Sequence, residues 1–291
     1  MEDKYINQKI ISVIIVSYNN PEILINCLNS IYKFNDIGNN LEIIVVENSE
    51  SLNIYNLIKN TYKHVVIIKN KNMGFGQANN IGAKLAKGKY LIFLNPDTLL
   101  IEPIFLFTIK TFNNNENLSL FGLKLVNTNL KSNISIGFID KHSMFYGFII
   151  RILNKFSIFL SDMMFISGAN LFIKKDEFVK AGMFDENIFM YYEESDLIKR
   201  IKKQGGKIGF FKSKKIIHLE GKTSNNLNTL LVRLNSAKYY SKKYNLDFNK
   251  QIKQELFFNN VKLLIYRLLK SNKTIIIKKN IEILKNMKHV M

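Results

Sequence analysis

The first hundred residues alternate between short apolar runs and segments with helical spacing, and this alternation constrains the fold more than any other feature of the chain. The four apolar runs are continuous, and each ends in polar turn residues: KIISVIIVSYNN (9–20), LEIIVVENSES (41–51), HVVIIKNK (64–71) and YLIFLNPD (90–97). A strand that is apolar along its whole length is buried on both faces, as in a parallel sheet covered by helices. The pattern therefore predicts an α/β fold with a mostly parallel central sheet flanked by helices.

The segments between these runs are predicted to be helices. The first begins at Pro21, a residue suited to the first turn of a helix, and it places Ile23, Leu24 and Cys27 on one face. The third, GQANNIGAKLAKG, is predicted to close at Gly88. In open sheets of this kind, ligands bind beyond the carboxyl ends of the strands. Those ends carry SYNN, ENSE, NKN and NPDT, so we expect a ligand site there.

The remainder of the chain changes character at about residue 226. Residues 101–225 contain a predicted strand at LSLFGLKLV, a strand–turn–strand–helix unit at MFISGANLFIKKDEFVKAG and an amphipathic helix at EESDLIKRIKKQGG. KIGFF and KIIHLEGKTS are predicted as two further strands, and the pattern from 226 onward is helical and basic. We predict one domain over 9–225, with halves 9–100 and 101–225, followed by a C-terminal helical extension over 226–291.

The chain is strongly basic, with 42 Lys and Arg against 23 Asp and Glu and a formal net charge of +19. This balance favours anionic partners such as nucleic acid, acidic lipid headgroups or phosphorylated substrates, although Lys also fills solvated helix faces. The single cysteine, Cys27, excludes an intrachain disulfide and a cysteine metal cluster. The polar N-terminus and the lack of an apolar run of membrane-spanning length lead us to expect a cytoplasmic protein. The longest apolar stretch, 144–160, is interrupted by Arg151, Asn154 and Lys155 and could be an amphipathic helix at a membrane interface. A buried helix or a mobile flap over a site is the favoured prediction.

Residues 69–98, KNKNMGFGQANNIGAKLAKGKYLIFLNPDT, allow two interpretations as a nucleotide site. Gly74-x-Gly76 after an apolar run, with Asp97 about twenty residues later, is similar to a dinucleotide-binding turn. That turn requires a third glycine, and Asn79 occupies its place; the motif also follows the third strand instead of the first. These departures favour the alternative, a nucleotide site in which Asp97 binds a metal.

Seven sequence blocks occur in one order along the chain and together resemble family 2 glycosyltransferases of the GT-A fold. The blocks are ISVIIVSYNN, IIVVENSE, NMGFGQANNIG, LIFLNPDT, ISGANLFIKKDEF, GMFDENIFMYYEESDLIKRIKKQGGKI and HLEGKTS. The resemblance covers roughly residues 10–240. Within the family, the chain resembles in particular rhamnosyltransferase-like and galactofuranosyltransferase-like members. The resemblance implies a nucleotide-sugar donor, a divalent metal (Mn²⁺ or Mg²⁺) and inversion at the anomeric carbon.

The resemblance identifies Asp97 and His218 as metal ligands. Asp97 occupies the last position of the family's Asp-x-Asp motif, in which Asn95 replaces the first acid, and His218 matches a family histidine in HLEGKTS. Mg²⁺ and Mn²⁺ take oxygen ligands, and one or two carboxylates with substrate phosphates suffice. In such a site the cation would stabilise the charge that develops on the diphosphate as the sugar leaves. Taken alone, Asp97 could be a turn-forming acid and His218 a packed imidazole at a strand end.

An inverting displacement also requires a base for the acceptor hydroxyl, and the block YYEESD matches the family segment that supplies it. The match places Glu194 at the position of the catalytic base and Glu193 at the acidic residue immediately before it. We call these two residues the acid pair. The family often has Asp where this chain has Glu194, so the carboxylate lies about one methylene further out. An acidic first helical turn could instead complement the helix dipole. Asp196 fits that alternative, because Arg200 lies at i+4 for an ion pair.

The resemblance also predicts where the nucleotide binds. The backbone of Ser17 and Tyr18 would border the base, and Glu47 stands where the family usually has an Asp that accepts from the pyrimidine ring NH. The extra methylene of Glu47 leaves the base preference open.

Two further groups complete the predicted donor site. Asn72, Gly74 and Asn79 match a motif at which backbone approaches the nucleotide, although they could also cap and start a helix. Small residues are needed at the wall of the donor-sugar site, since larger side chains would block it. The residues predicted for this wall are Ser167, Gly168 and Ala169.

The residues and the resemblance together predict a metal-dependent, inverting glycosyltransferase. It would move a sugar, rhamnose or a related hexose, from a UDP- or dTDP-sugar to a growing surface polysaccharide, often a lipid-linked glycan. The basic C-terminal helices would allow peripheral association with the inner face of the cell membrane, and no nucleic acid is expected. Two alternatives stay open: a nucleotidyl- or phosphoryl-transfer enzyme, which has no use for YYEESD, and a basic nucleic-acid-binding module with a degenerate enzyme half, in which YYSKKY could stack on bases.

Overall fold

The computed structural model describes residues 9–140, 144–219 and 226–289. The strands in these residues are β1 Ile11–Ser17, β2 Leu41–Glu47, β3 Val65–Lys69, β4 Tyr90–Leu94, β5 Thr98–Leu100, β6 Leu118–Val126, β7 Ile136–Phe138, β8 Met164–Ile166, β9 Asn170–Lys174 and β10 Lys207–His218. The α-helices are α1 Pro21–Lys33, α2 Asn53–Thr61, α3 Phe75–Leu85, α4 Phe105–Asn114, α5 Met144–Phe156, α6 Lys175–Lys180, α7 Glu193–Lys203, α8 Asn226–Lys243, α9 Phe248–Leu268 and α10 Lys273–His289.

Eight strands form one mixed sheet in the order β3-β2-β1-β4-β9-β6-β10-β5, and β7 pairs with β8 separately. β1 is parallel to β2 and β4, β2 to β3, and β6 to β10, which confirms the mostly parallel sheet. β9 runs antiparallel to both of its neighbours, with Asn170 opposite Leu94. Because of this reversal, the turn that enters β9 lies beside the carboxyl end of β4.

Alternating side chains of the central strands face two hydrophobic cores, one on each side of the sheet. Val13 and Ile15 of β1 belong to the core that α1 and α4 cover. Ile14 between them belongs to the core that α3, α6 and α7 cover. Both faces of the sheet are therefore buried, as the continuous apolar runs predict.

α3 ends at Leu85, so the prediction that this helix closes at Gly88 is wrong. Gly88 is instead a point of close approach to β1: a Cβ there would lie 2.6 Å from the Ser12 nitrogen and 2.7 Å from the Ile11 carbonyl carbon. The Gly88 amide also donates to Ser12 Oγ at 2.9 Å. The glycine is needed because the chain passes the backbone of β1 before it enters β4.

Two other predicted elements differ from the structure. KIGFF and KIIHLEGKTS form a single strand, β10, with a register shift between Phe211 and Lys215; residues 220–225 lie outside the described residues. The stretch 144–160 does form a helix, α5, but it is not a buried one. Ile149, Ile150 and Leu153 pack on the second core, whereas the side chains of Phe148, Ile152 and Phe156 are exposed.

Across the described ranges, no helix combines the length and the apolar character needed to cross a bilayer.

The C-terminal helices pack around a third hydrophobic cluster that they share with the segment entering α7. Leu234 and Tyr240 of α8 lie in this cluster together with Ile188 and Tyr192, which precede α7. The Ser236 hydroxyl donates to the carbonyl of Met190 at 2.7 Å. The C-terminal helices therefore hold the chain at the point where it turns into α7.

A polar network supports the same contact. Arg233 of α8 forms a two-pronged ion pair with Glu255 of α9, with N–O distances of 2.6 and 2.9 Å. Gln251, one turn earlier in α9, donates to the Tyr192 hydroxyl at 2.9 Å and to Glu255 at 3.3 Å. Two C-terminal helices are thus tied to each other and to the residue immediately before the predicted acid pair.

The tyrosines of YYSKKY are bound to acidic residues inside the protein. Their hydroxyls contact carboxylates at 2.7 to 2.9 Å: Tyr239 with Asp185, Tyr240 with Asp140 and Tyr244 with Asp196. Lys243 lies 2.6 Å from Asp185 and 2.5 Å from Asp196. Asp196 also forms the predicted ion pair with Arg200, at 2.6 Å. These hydroxyls are therefore committed to contacts within the protein.

We expect Gly88→Ala to lower the free energy of unfolding by about 1–3 kcal/mol, because the new Cβ meets backbone that the pairing of β1 with two strands holds in place. Urea denaturation measures the change. Gly147→Ala in α5 is the control, since a Cβ there meets nothing within 4 Å. The control should gain about 0.5–1 kcal/mol from helix propensity. Equal effects of the two changes would contradict the close approach at Gly88.

We expect Arg233→Met to lower the free energy of unfolding by about 1–3 kcal/mol, because Glu255 would remain largely buried without its cation. Lys214→Met is the matched control: it breaks an ion pair at 2.9 Å whose acid, Glu102, is more exposed than Glu255, and it should cost at most about 1 kcal/mol. Denaturation of both variants by urea makes the comparison. A loss no larger than the control's would show that the Arg233 pair does not support α7.

Candidate functional site

The carboxyl ends of β1 and β2 hold a buried serine and a buried glutamate side by side. Ser17 is opposite Glu47 in the parallel register, and the Asn48 amide donates to the Ser17 carbonyl at 2.9 Å. The Ser49 amide donates to Glu47 Oε1 at 2.7 Å. One carboxylate oxygen of Glu47 is thus held by the backbone, while Glu47 Oε2 has no hydrogen-bond partner in the described residues.

A row of asparagine amides connects these strand ends to the turn before α3. Asn70 donates to the side-chain oxygen of Asn48 at 2.9 Å, and Asn48 Nδ2 lies 3.4 Å from Asn72 Oδ1. Asn72 Oδ1 also accepts from the Gly74 amide at 3.3 Å. The structure therefore brings Ser17, Glu47, Asn72 and Gly74 to one edge of the sheet.

Gly74 joins this edge to the segment that leads into α7. Its φ of +112° lies in the region that favours glycine, and a Cβ there would lie 2.5 Å from the Phe189 carbonyl oxygen. The Phe75 amide donates to the same carbonyl at 2.8 Å. A side chain larger than hydrogen at residue 74 would push the two segments apart.

Tyr18 and Asn79, the other two residues predicted for nucleotide binding, have different surroundings. Tyr18 follows β1 with about half of its side chain exposed, so its ring is open to a ligand. Asn79 is buried within α3, and its amide donates to the Phe75 carbonyl one turn earlier, at 3.0 Å. The structure thus gives the Asn79 side chain a contact inside its own helix.

Asp97 and His218 meet where β5 and β10 pair. His218 is opposite Thr98, and the Leu219 amide donates to the Asp97 carbonyl at 2.9 Å. As a result, His218 Nε2 lies 3.2 Å from Asp97 Oδ1, and both side chains are largely buried. Asn133 donates to the His218 carbonyl at 3.2 Å and fixes this end of β10.

The geometry of this pair fits two ligands of one divalent cation. Ligand atoms about 2.1 Å from a metal and at right angles to each other are about 3.0 Å apart. Within the described ranges, no group of three or more His, Cys, Asp and Glu residues could hold a metal ion. The described part of the protein therefore offers one oxygen and one nitrogen, and further ligands would have to come from a bound diphosphate and water.

Backbone hydrogen bonds connect the metal motif to the acid pair. The Asn95 amide donates to the Ala169 carbonyl at 3.2 Å, because the turn that enters β9 lies beside the end of β4. In that turn, the Gly168 amide donates to Glu194 Oε1 at 2.8 Å, and the Ala169 amide contacts Ser167 Oγ at 3.4 Å. A Cβ on Gly168 would lie 2.6 Å from the same carboxylate oxygen. The predicted donor-sugar wall thus stands between Asn95 and Glu194.

Glu193 and Glu194 begin α7 with little access to solvent. Burial raises the pKa of Glu193 well above its usual range, and the charge of Glu194 raises it further. Burial also raises the pKa of Glu194, while hydrogen bonds from its own backbone and from Gly168 lower it. Glu194 is the one of the two that ionises more readily, because the Gly168 amide stabilises its charged form.

The backbone before the acid pair is strained. Tyr191 and Tyr192 both have left-handed conformations, with φ of 69° and 73°, which bulky residues rarely adopt. The third hydrophobic cluster and the hydrogen bond from Gln251 hold Tyr192 in place. Strain of this kind persists where surrounding contacts over-determine the backbone, and it is common at functional sites.

Four buried side-chain atoms have no hydrogen-bond partner in the described part of the chain. They are Ser17 Oγ, Glu47 Oε2, Glu193 Oε2 and His218 Nδ1. A buried polar atom without a partner costs about 1–3 kcal/mol, so such atoms are rare away from ligand sites. All four belong to residues that the sequence predicts for the site.

Sequence reasoning missed the residues that support the site from behind. Asn80 in α3 exchanges hydrogen bonds with the backbone of Phe184 at 2.9 and 3.0 Å and also donates to Glu186 at 3.0 Å, which fixes the start of the segment before α7. The available signal in the sequence was a second asparagine, next to Asn79, in the interior of a predicted helix. The Arg233–Glu255 ion pair left no such signal, because its two residues lie in different helices and no regular sequence spacing relates them.

Comparison with known proteins gives a consistent result. The model of glycosyl transferase family 2 matches residues 12–175, more than half of the chain. Rhamnosyltransferase WbbL of Escherichia coli is 26% identical over 222 residues, which cover 71% of this chain and 82% of that protein. Poly(ribitol-phosphate) beta-glucosyltransferase of Bacillus spizizenii is 34% identical over 92 residues, which cover 30% of this chain but only 14% of that much longer protein.

The fold has relatives among solved structures. The mannosyltransferase PcManGT of Pyrobaculum calidifontis, in complex with GDP-Man and Mn²⁺, superposes with a TM-score of 0.58 at 14% identity. The match covers 78% of this chain and 61% of that one. At this identity the likeness shows the fold alone, and that fold is GT-A. The family model, which matches more than half of the chain, establishes that the chain belongs to glycosyl transferase family 2.

Proposed function

We propose that this glycosyltransferase moves a sugar from a nucleoside-diphosphate donor to an acceptor hydroxyl by one inverting displacement that depends on a divalent metal. The observation that carries the proposal is the hydrogen-bonded path from Asn95 through Ala169 and Gly168 to Glu194. This path keeps a candidate base close to the metal motif. A single displacement needs the base and the leaving group on opposite sides of one sugar, and the small turn between them leaves room for it.

The diphosphate end of the donor would lie at Asp97 and His218. These side chains would hold Mn²⁺ or Mg²⁺, which, when bound, neutralises the charge on the leaving diphosphate. The nucleoside would lie over the ends of β1 to β3, where Tyr18 is open to a base and Glu47 Oε2 can accept a ring NH. Gly74 would keep this edge close to the Phe189 backbone. The Asn79 side chain would stabilise the first turn of α3 through its hydrogen bond to the Phe75 carbonyl.

Glu194 would take the proton of the acceptor hydroxyl. The Gly168 amide donates to Oε1 at 2.8 Å and would orient the carboxylate for this step. Glu193 would serve this step by staying protonated: its raised pKa keeps a second negative charge away from Glu194. The helix N-terminus and the Gly168 amide then keep Glu194 ionised beside it.

The identity of the substrates is a further part of the proposal. WbbL is a rhamnosyltransferase by name, which supports rhamnose or a related hexose as the transferred sugar. We propose UDP or dTDP as the carrier of that sugar. The acceptor would be a glycan of a surface polysaccharide, lipid-linked and presented at the inner face of the cell membrane, with residues 226–291 acting as an extension of the catalytic region 9–225. A nucleotidyl-transfer enzyme would have no need of an acid pair held against a donor-sugar wall.

We expect Glu194→Gln to abolish sugar transfer while leaving donor binding within about twofold, because the amide cannot accept the proton. Glu194→Asp is the matched variant: it keeps the charge and should retain part of the rate. Release of nucleoside diphosphate from a panel of UDP-, dTDP- and GDP-sugars measures turnover, and calorimetry measures donor binding. Full turnover in Glu194→Gln would remove this residue from the base role.

The pH profile of the wild type provides a second measure of the same step. The base must be ionised, and burial raises the pKa of Glu194, so the rate should fall as pH drops through a value above that of a free glutamate. Any residual turnover in Glu194→Gln should lack this acidic limb, whereas Glu194→Asp should keep it. An acidic limb that is unchanged in Glu194→Gln would assign the titration to another group.

We expect Asp97→Ala to weaken donor binding by about tenfold or more when Mn²⁺ or Mg²⁺ is present, because one of two protein ligands is lost. With a chelator in place of the metal, the variant and the wild type should bind equally. Asp162→Ala, which removes an exposed acid, is the control. Equal weakening with metal and with chelator would contradict the ligand assignment.

A further inference from the structure

We propose that the end of the α9–α10 hairpin docks on a membrane surface that displays anionic lipid headgroups. The hairpin tip, as we call it, consists of residues 262–279: the last turns of α9, the connecting turn and the first turns of α10. This inference deepens the proposed function by assigning a lipid surface to named residues. Its test needs no nucleotide sugar, so it can fail or succeed independently of sugar transfer.

The hairpin tip exposes large aliphatic side chains in an unusual concentration. Leu268 at the end of α9 is 84% exposed, and Leu269 in the turn is 69% exposed. Other exposed aliphatic residues of the tip are Leu264, Ile265, Ile275 and Ile276. By contrast, Ile277 and Ile281 turn inward and are buried, so α10 has both a packed face and an apolar face toward solvent. Exposed apolar groups gathered at one end of a hairpin mark an interaction surface.

The charge of the hairpin tip selects the partner. Between Glu255 and Glu282 the chain contains no acidic residue. The six basic residues in that interval are Lys262, Arg267, Lys270, Lys273, Lys278 and Lys279. Exposed aliphatic side chains in a stretch that contains cations and no acidic residue match the interface of an anionic bilayer, in which acyl chains lie directly beneath negative headgroups.

Other surfaces of the protein fit a lipid surface less well. The apolar face of α5 also exposes Phe148, Ile152 and Phe156, but the helix itself carries two cations, Arg151 and Lys155, and the exposed Asp162 follows it. A third cation, Lys124, already donates to the Ser157 hydroxyl at 2.8 Å. Single-stranded nucleic acid is bound largely by stacking of bases on aromatic rings, and the exposed apolar side chains of the hairpin tip are aliphatic. The Lys273 ammonium group lies over the Tyr266 ring, 5.8 Å from the ring centre. The hairpin tip therefore combines more exposed apolar side chains and more cations than the face of α5.

Flotation of the full chain with vesicles tests the proposal. We expect binding to vesicles of phosphatidylcholine mixed with phosphatidylglycerol, and much weaker binding to phosphatidylcholine alone. Leu268→Ser combined with Leu269→Ser should reduce binding about tenfold or more. Lys270→Glu combined with Lys273→Glu should reduce binding to the anionic vesicles at least roughly 25-fold, because each lost cation costs about fivefold and each new carboxylate repels the headgroups as well.

Matched controls separate the hairpin tip from other surfaces. Phe257→Ser removes an equally exposed apolar side chain from the same helix outside the tip, and Ile152→Ser with Phe156→Ser alters the face of α5. Lys63→Glu with Lys110→Glu reverses two exposed lysines elsewhere. All three should bind vesicles as the wild type does, and circular dichroism should show that every variant is folded.

Several outcomes would overturn the proposal. The first is failure of the wild type to float with anionic vesicles, and the second is an equal loss of binding in the α5 variant or in the charge control. A third is a wild-type dimer that Leu268→Ser with Leu269→Ser converts to a monomer, without vesicle binding by either, which would make the hairpin tip an interface between copies. A fourth is tighter binding to an oligonucleotide than to vesicles, abolished by the charge reversal alone.

Discussion

The hydrogen bond from the Gly168 amide to Glu194 is the contact on which the arrangement of the site depends. It exists because β9 runs against β4, so that the turn entering β9 lies at the same edge as the metal motif. A backbone donor orients the carboxylate, and backbone between two paired strands moves little. The Glu194 carboxylate, which we propose as the base, therefore has a fixed direction before any substrate arrives, as a preorganised site requires.

This arrangement costs stability, and the cost is confined to one edge of the sheet. The four unpartnered atoms and the two left-handed tyrosines lie in or beside that edge, whereas the two cores on the faces of the sheet are continuous and apolar. The third cluster offsets part of the strain by burying Tyr192 against α8 and α9. Stability and reactivity thus occupy different layers of the same domain, as expected where strained groups serve function.

How far the sequence predicts this structure depends on the range of the interactions. The first four strands and the helices between them follow from local periodicity, and parallel pairing in register places Ser17 beside Glu47. The prediction that α3 closes at Gly88 is wrong because a glycine after a helix has two physical explanations, a helix cap and a close approach of backbone, and the sequence alone does not distinguish them. Asn79 and Asn80 are neighbours in α3, and only the rotation of the helix decides that Asn80 reaches the segment before α7.

The length of α9, together with the proposed docking of its far end on lipid, bears on which acceptors the enzyme can reach. The helix has 21 residues and spans about 30 Å; Gln251 near its start holds Tyr192, and Leu268 at its far end belongs to the hairpin tip. In the proposed docking on lipid, the helix would act as a rigid spacer that sets the distance of the Glu194 carboxylate from the bilayer. Lipid-linked saccharides too short to cover that distance would be out of reach. The length of α9 would then set a minimum acceptor length, in addition to the selection made by contacts in the site.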